Sequence, residues 1–145
     1  MMVRVQGMEK LMLVLWIMIA AAVVVAGYIR LAPSDPMQWH VEPAVSRNSD
    51  QAGGVRRMLE GDADTLYRLH NIIMDSDRTE MLAGSPADGM MTYVTRSRIM
   101  GFPDYTTVWL DRGQIKIFAR LRFGKSDLGV NAARVDGWLA ILQAG

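Results

Sequence analysis

The pattern of apolar and polar positions changes three times along the chain. Residues 11–29, LMLVLWIMIAAAVVVAGYI, carry no charge and no polar face. At about 1.5 Å rise per residue this run spans roughly 28 Å, close to the ~30 Å hydrocarbon core of a bilayer. A core helix of a soluble domain would keep a polar stripe, so the run predicts a transmembrane helix. Residues 31–52, LAPSDPMQWHVEPAVSRNSDQA, show neither a helical nor a strand period. Pro33, Pro36 and Pro43 each remove a backbone donor and restrict the residue before them, which predicts an extended tether. Trp39 and Tyr28 suit aromatic anchoring at a bilayer interface, and Trp39 suits packing on the domain equally well.

From Gly53 onward the pattern is that of a small folded domain. Residues 54–61 read as a short first strand. Asp62 or Asp64 then opens a helix over 63–75, where Leu66, Leu69, Ile72 and Ile73 form one apolar stripe. The period next changes to two. Strands are predicted over 79–84, 90–100, 105–110 and 114–122, separated by the turn-forming stretches Pro-Ala-Asp-Gly, Gly-Phe-Pro-Asp and Asp-Arg-Gly. In the last of these strands Ile115, Ile117, Ala119 and Leu121 share one face, and Phe118 interrupts the polar side. A closing helix over 132–143 carries Val135, Trp138, Leu139 and Leu142 at i, i+3, i+4 and i+7, with Asn131 as its expected N-cap. The order is β-α-β-β-β-β-α. The fold class is α+β, with one antiparallel sheet and its helices packed on one face.

The flanks of the apolar run suggest an orientation. Arg4 and Lys10 precede it and Arg30 follows, a modest excess of positive charge on the N-terminal side. The expected organisation is a cytoplasmic N-terminus over 1–10, a transmembrane helix over 11–29, a tether over 30–52 and an α+β domain over 53–145. That places a single-pass protein in a bacterial inner membrane with its domain in the periplasm. A cleaved signal peptide, with Val24 and Ala26 before the cut, is the rival reading. The apolar run is longer than the usual signal core of about 7–15 residues. The sequence has no Cys, which excludes structural disulfides, thiolate metal sites and a lipid-modified cysteine anchor.

Charge separates the two halves of the domain. Residues 40–92 hold 5 basic and 9 acidic side chains, and residues 93–145 hold 8 and 4. Strand alternation would place Arg96 and Arg98 on one face of their strand, and Lys116, Arg120 and Arg122 on one face of theirs. Such a basic sheet face could hold lipid phosphates or an acidic partner. It serves as well for a solvated outer face paired to the acidic half. Nucleic acid is excluded by a near-zero net charge on the outer side of a membrane.

Catalytic and cofactor signatures are absent. Gly124, Lys125 and Ser126 spell the end of a phosphate-binding loop, but Ala119 stands where its first Gly is required, in strand register. His40 and His70 have no partners at ligand spacing, and the twelve Met fit the apolar run and core positions better than a copper site. No cofactor, metal or catalytic residue is therefore expected.

Two blocks resemble a known family. Thr95, Arg96, Ser97, Gly101, Phe102, Pro103 and Asp104 form the first. Arg122, Gly124, Ser126, Asp127, Leu128, Gly129, Asn131 and Arg134 form the second. Together they look like the domain-of-unknown-function 1499 proteins of proteobacteria and photosynthetic lineages, over residues 53–143. The family often has Ser before the first Arg of the second block; here Leu121 stands there. The resemblance implies a small α+β domain, often membrane-attached, with no established reaction. In the second block an ion pair is expected from Arg134 to Asp127 or Asp104, clasping two loops at one end of the sheet.

The expected function is that of a membrane-anchored accessory protein whose domain binds or stabilises a larger membrane complex. The partners would be the lipid bilayer and other membrane protein subunits. A domain that binds lipid or another hydrophobic ligand between sheet and helices is the alternative. The candidate surface comprises Arg96, Arg98, Asp104, Arg122, Ser126, Asp127, Asn131 and Arg134.

Overall fold

The computed structural model describes residues 2–145, with side chains from Gly7 onward. The chain divides into two compact units, Met1–Ala32 and Pro33–Gly145. The first holds the helix α1 (Met2–Leu31). From Met8 onward most of its apolar side chains are exposed, and the stretch Gly7–Leu31 is long and apolar enough to cross a membrane. A signal sequence near the N-terminus can also be long and apolar enough to fit that description.

The second unit is an α+β domain. In chain order it contains α2 (Pro36–Trp39), β1 (Ser49–Gln51), β2 (Gly54–Glu60), α3 (Ala63–Met74), β3 (Thr79–Ser85), β4 (Met90–Arg96), β5 (Pro103–Asp111), β6 (Gln114–Leu121) and α4 (Val130–Ala144). The six strands form one sheet in the order β1-β2-β6-β5-β4-β3, and every pair of neighbours is antiparallel. The predicted α+β class and element order are observed, with α2 and β1 added at the front.

Period-two alternation sends Val55, Met91, Tyr93, Val108, Ile115, Ile117 and Ala119 to one side of the sheet, all fully buried. Leu66, Leu69 and Ile73 of α3, and Val135, Trp138 and Leu142 of α4, cover them. Each such aliphatic side chain contributes roughly 1.5–3 kcal/mol by leaving water. These residues fill the space between sheet and helices. Asp62 caps α3 as predicted, accepting from the Thr65 amide at 2.9 Å.

The opposite face of the sheet is covered too, by residues read as a tether. The indole of Trp39 stacks on Tyr105 with ring centres 3.9 Å apart and planes 11° from parallel. His40 Nδ1 lies 3.0 Å from the Thr92 hydroxyl, and the Ser34 hydroxyl lies 2.7 Å from that of Tyr105. Arg120 donates to the Trp39 carbonyl at 2.9 Å, and Arg122 to the Pro33 carbonyl at 2.8 Å. Gly84 (φ +85°) makes room, since a Cβ there would meet the His40 ring at 2.8 Å. The folded unit therefore starts at Pro33 rather than near Gly53. The prolines do exclude regular structure from most of this segment, but they do not detach it. A proline-bearing chain keeps its carbonyls as acceptors, and Arg120 of β6 and Arg122 just after it supply the donors.

Three local expectations also change. β4 ends at Arg96, so Arg98 lies in the following loop and not on the strand face with Arg96. Gly129, in a left-handed conformation, precedes α4, and Asn131 is not its N-cap. Phe118 is no exception on its face, because it lies between the guanidinium groups of Arg56 and Arg120, 4.3 and 4.9 Å from the ring centre.

Candidate functional site: an arginine-lined pocket at one end of the sheet

Antiparallel pairing brings three connections to the same end of the sheet. Thr79 is opposite Thr95, Arg96 is opposite Pro103, and Asp104 is opposite Leu121. The segment after α3 (75–78), the β4–β5 loop (97–102) and the β6–α4 corner (122–129) thus converge. The first two, with the adjoining strand ends and the start of α4, line an open pocket of about 560 Å3. Four arginines line it: Arg78, Arg96, Arg98 and Arg134. Asp77 is the acid in the lining, and its side chain is 90% exposed.

The corner is built around one carboxylate. Asp127 accepts from the Gly129 amide at 3.0 Å and from the Asn131 amide at 3.0 Å. Its own amide donates to the Ala52 carbonyl, tying the corner to the β1–β2 turn. Partial burial pushes the Asp127 carboxyl up, but the bonds from Asn131 and Gly129 outweigh it and hold the group below its usual range. Asp127 therefore supplies the cap for α4 that Asn131 was expected to give. Ser126 accepts from the Leu128 amide at 3.2 Å, which fixes the turn.

Asn131 does something else. It is fully buried. Its side-chain amide donates to Asp104 at 3.1 Å and its carbonyl oxygen accepts from Arg134 at 2.9 Å. Arg134 also approaches Asp104 directly, at 3.7 Å. The clasp between the loops exists, with Asp104 as the carboxylate and Asn131 bridging the pair. Burial raises the Asp104 carboxyl and lowers the Arg134 guanidinium, and each partner opposes the shift in the other.

The other arginines are less committed. Arg78 has φ +56° and donates from Nε to the Arg96 carbonyl at 3.2 Å. Arg96 donates to the Gly101 carbonyl at 3.2 Å. Arg98 is exposed and has no side-chain partner among the described residues. The hydroxyls of the lining are engaged internally. Thr79 and Thr95 bond each other at 2.9 Å, Ser97 accepts from the Phe102 amide, and Ser76 accepts from the Trp138 indole. The polar groups left to meet a ligand are guanidinium donors, beside the apolar Ile99, Met100 and Val130. Planar, permanently charged forks of this kind suit a phosphate or a carboxylate.

The family model described as Protein of unknown function (DUF1499) matches residues 30–142. The chain belongs to this family. A comparison with curated proteins gave no match. The DUF1499 match begins ahead of Pro33, so the family's unit includes the segment that covers the outer face of the sheet.

Of the eight residues singled out from the sequence, Arg96, Arg98 and Arg134 line the pocket. Asp104 and Asn131 stand behind Arg134, and Ser126 and Asp127 build the adjoining corner. Arg122 stands apart from these. It faces the outer side of the sheet and is spent on Pro33 and the Tyr105 hydroxyl. The basic strand face as a whole is likewise engaged, with Lys116 on Asp111 at 2.7 Å and Arg120 on Trp39 and Thr107. Arg78 was missed. Only the pairing of Thr79 with Thr95 brings it beside Arg96, and that register follows from the folded sheet.

Proposed function

We propose that this DUF1499 protein is a membrane-anchored, non-catalytic accessory domain whose arginine-lined pocket engages an anionic group. The pocket carries the reading: four arginines line it, and its hydroxyls are already bonded to each other or to the backbone and the core. In the accompanying topology α1 spans the inner membrane once, the N-terminus is cytoplasmic and the domain is periplasmic. The Ala-rich stretch 20–27 would let other membrane subunits pack closely on the span. A hydrophobic ligand held between sheet and helices is disfavoured, because buried side chains occupy that space.

Purification of the full chain in a mild detergent, followed by titration with inorganic phosphate and a short-chain carboxylate, tests the reading. Binding that weakens in Arg98→Gln and in Arg78→Gln supports it. A folded wild-type protein that binds neither anion refutes it. A reaction catalysed on a bound ester would overturn the non-catalytic part.

A further inference from the structure

The end of the sheet that bears the pocket carries a feature that the fold does not require. Leu128 is 92% exposed and has φ +53°. Left-handed backbone costs a non-glycine residue roughly 1–2 kcal/mol, and an exposed leucine gains nothing from burial. Glycine would be the cheaper residue there. Ile99, on the β4–β5 loop, is 84% exposed, with Met100 and Val130 beside it in the wall of the pocket. Lys125, in the same corner as Leu128, is exposed. This set of apolar tips beside exposed cations, of which Arg78 has the exposed Asp77 as its acidic neighbour at 3.7 Å, satisfies no internal need. It matches a surface that is apolar below and anionic at its boundary.

The path of the chain selects which surface. Arg122 holds the Pro33 carbonyl at 2.8 Å and immediately precedes the corner. Pro33 therefore enters the domain at this same end of the sheet, and only Ala32 separates it from the last residue of α1, Leu31. If α1 spans, the chain leaves the bilayer within two residues of the end that bears Ile99, Leu128 and the arginines. Two extended residues reach about 7 Å.

Resting on the anion-binding reading, we propose that this sheet end docks on the anionic lipid surface beside its own anchor. Leu128 and Ile99 insert at the headgroup boundary, and Arg98, with Arg78 and Lys125, takes lipid phosphate. The domain is then held end-on against the membrane, and its opposite end, with the β3–β4 and β5–β6 turns, is presented outward.

The chain has no Cys, so single labels are clean. Leu128→Cys and, at the far end, Ala87→Cys are each labelled with an environment-sensitive fluorophore in the full chain. The labelled proteins are placed in nanodiscs of phosphatidylcholine alone or mixed with phosphatidylglycerol. The label at 128 should shift to the blue and become shielded from an aqueous quencher only in the phosphatidylglycerol discs, and the label at 87 should stay aqueous in both. Arg98→Gln with Lys125→Gln, both exposed and unbonded side chains, should lower the docked-to-free ratio by roughly fivefold per charge, and added salt should lower it further. A label at 128 that stays aqueous in both discs, or that docks equally in both, overturns the proposal. In a separate arm inorganic phosphate is titrated into the phosphatidylcholine discs. Phosphate binding that depends on Arg98, without docking on phosphatidylglycerol, sinks this inference and leaves the anion-binding reading standing. Failure of both phosphate binding and docking sinks both.

Discussion

Trp39→Ala tests whether residues 33–48 are part of the folded domain. The indole lies flat on Tyr105, which is fully buried, and within 5.3 Å of the Arg120 guanidinium. A buried aromatic side chain removes about 150–250 Å2 from water, and Trp39 is half-buried, so about 100 Å2 of apolar contact is at stake. At about 25 cal/mol per Å2 that is roughly 2.5 kcal/mol. The ring stack and the cation–π contact add about 1–2 kcal/mol together. One term runs the other way: the indole N–H is buried without a partner, and removing it returns about 1–2 kcal/mol. The backbone carbonyl of residue 39 keeps its bond to Arg120 in the variant. The net loss is about 2–3 kcal/mol, or a fall in Tm of roughly 6–15 °C for a domain near one hundred residues. Thermal melts of the full chain in detergent, followed in the near ultraviolet, would read this above a background from Trp16 and Tyr28 of α1. Trp39→Phe keeps the stack and deletes the orphan donor, and should stay within about 1 kcal/mol of wild type. Unchanged melting of Trp39→Ala would mean that the segment is an undocked tether, and the argument for a folded unit beginning at Pro33 would fall.

Three further outcomes follow from the same geometry. Arg57 bridges Asp136 on α4, at 2.7 and 2.9 Å, and Asp50 on β1, at 2.7 Å; Arg57→Ala should cost about 1–2 kcal/mol in a urea titration, limited because both carboxylates are more than half exposed. Asp127→Ala should cost about 1–2 kcal/mol, as loss of a helix cap does, and equal stability would refute its capping role. Acid should destabilise the domain below about pH 4, because Asp62, held low by the Thr65 amide, Asp111 by Lys116, Asp136 by Arg57 and the capping Asp127 contribute stability above their unfolded values of about 3.9 and lose it as they protonate. Asp104 has the opposite sign, since burial raises it and its ionisation is a cost incurred as pH rises; Asp104→Asn should therefore steepen the net loss toward acid, as measured by Tm against pH.

Elements with a strong period were legible from residues alone. The stripe of α3 and the alternation of β6 can be satisfied in only one way by one buried face, so their ends fell within a few residues. Residues 33–48 were not legible, because their order comes from partners far along the chain. Arg120 and Arg122 are 81 and 89 positions from the carbonyls they hold, and no local pattern encodes such pairs. Asn131 failed for a related reason. Asn at the start of a helix is a good cap by propensity, but here Asp127 already supplies that bond and Asn131 is drawn inward by Asp104 and Arg134. The pocket was half legible: Arg96 and Arg98 were singled out by charge and Arg134 by the family block, yet the strand face that charge defined is consumed by internal bonds. Arg78 required the register of β3 on β4.

The corner from Ser126 to Arg134 invites a choice between holding the fold and meeting a ligand, and its geometry removes that choice. Arg134 is bonded on one side to Asn131, and through it to Asp104, and it reaches the pocket on the other. A guanidinium stays charged when buried, and burying it without a paired carboxylate is costly, so the clasp is what lets the fold keep a cation at that wall. The experimental signatures of the two roles then separate by residue. Asn131→Ala breaks the bridge on both sides and should lower stability by about 2–3 kcal/mol while also weakening anion binding. Arg98→Gln touches no internal bond and should weaken anion binding with no change in Tm. If Asn131→Ala destabilised the domain but left anion affinity intact, Arg134 would belong to the scaffold alone, and the ligand would be held by Arg78, Arg96 and Arg98 without it.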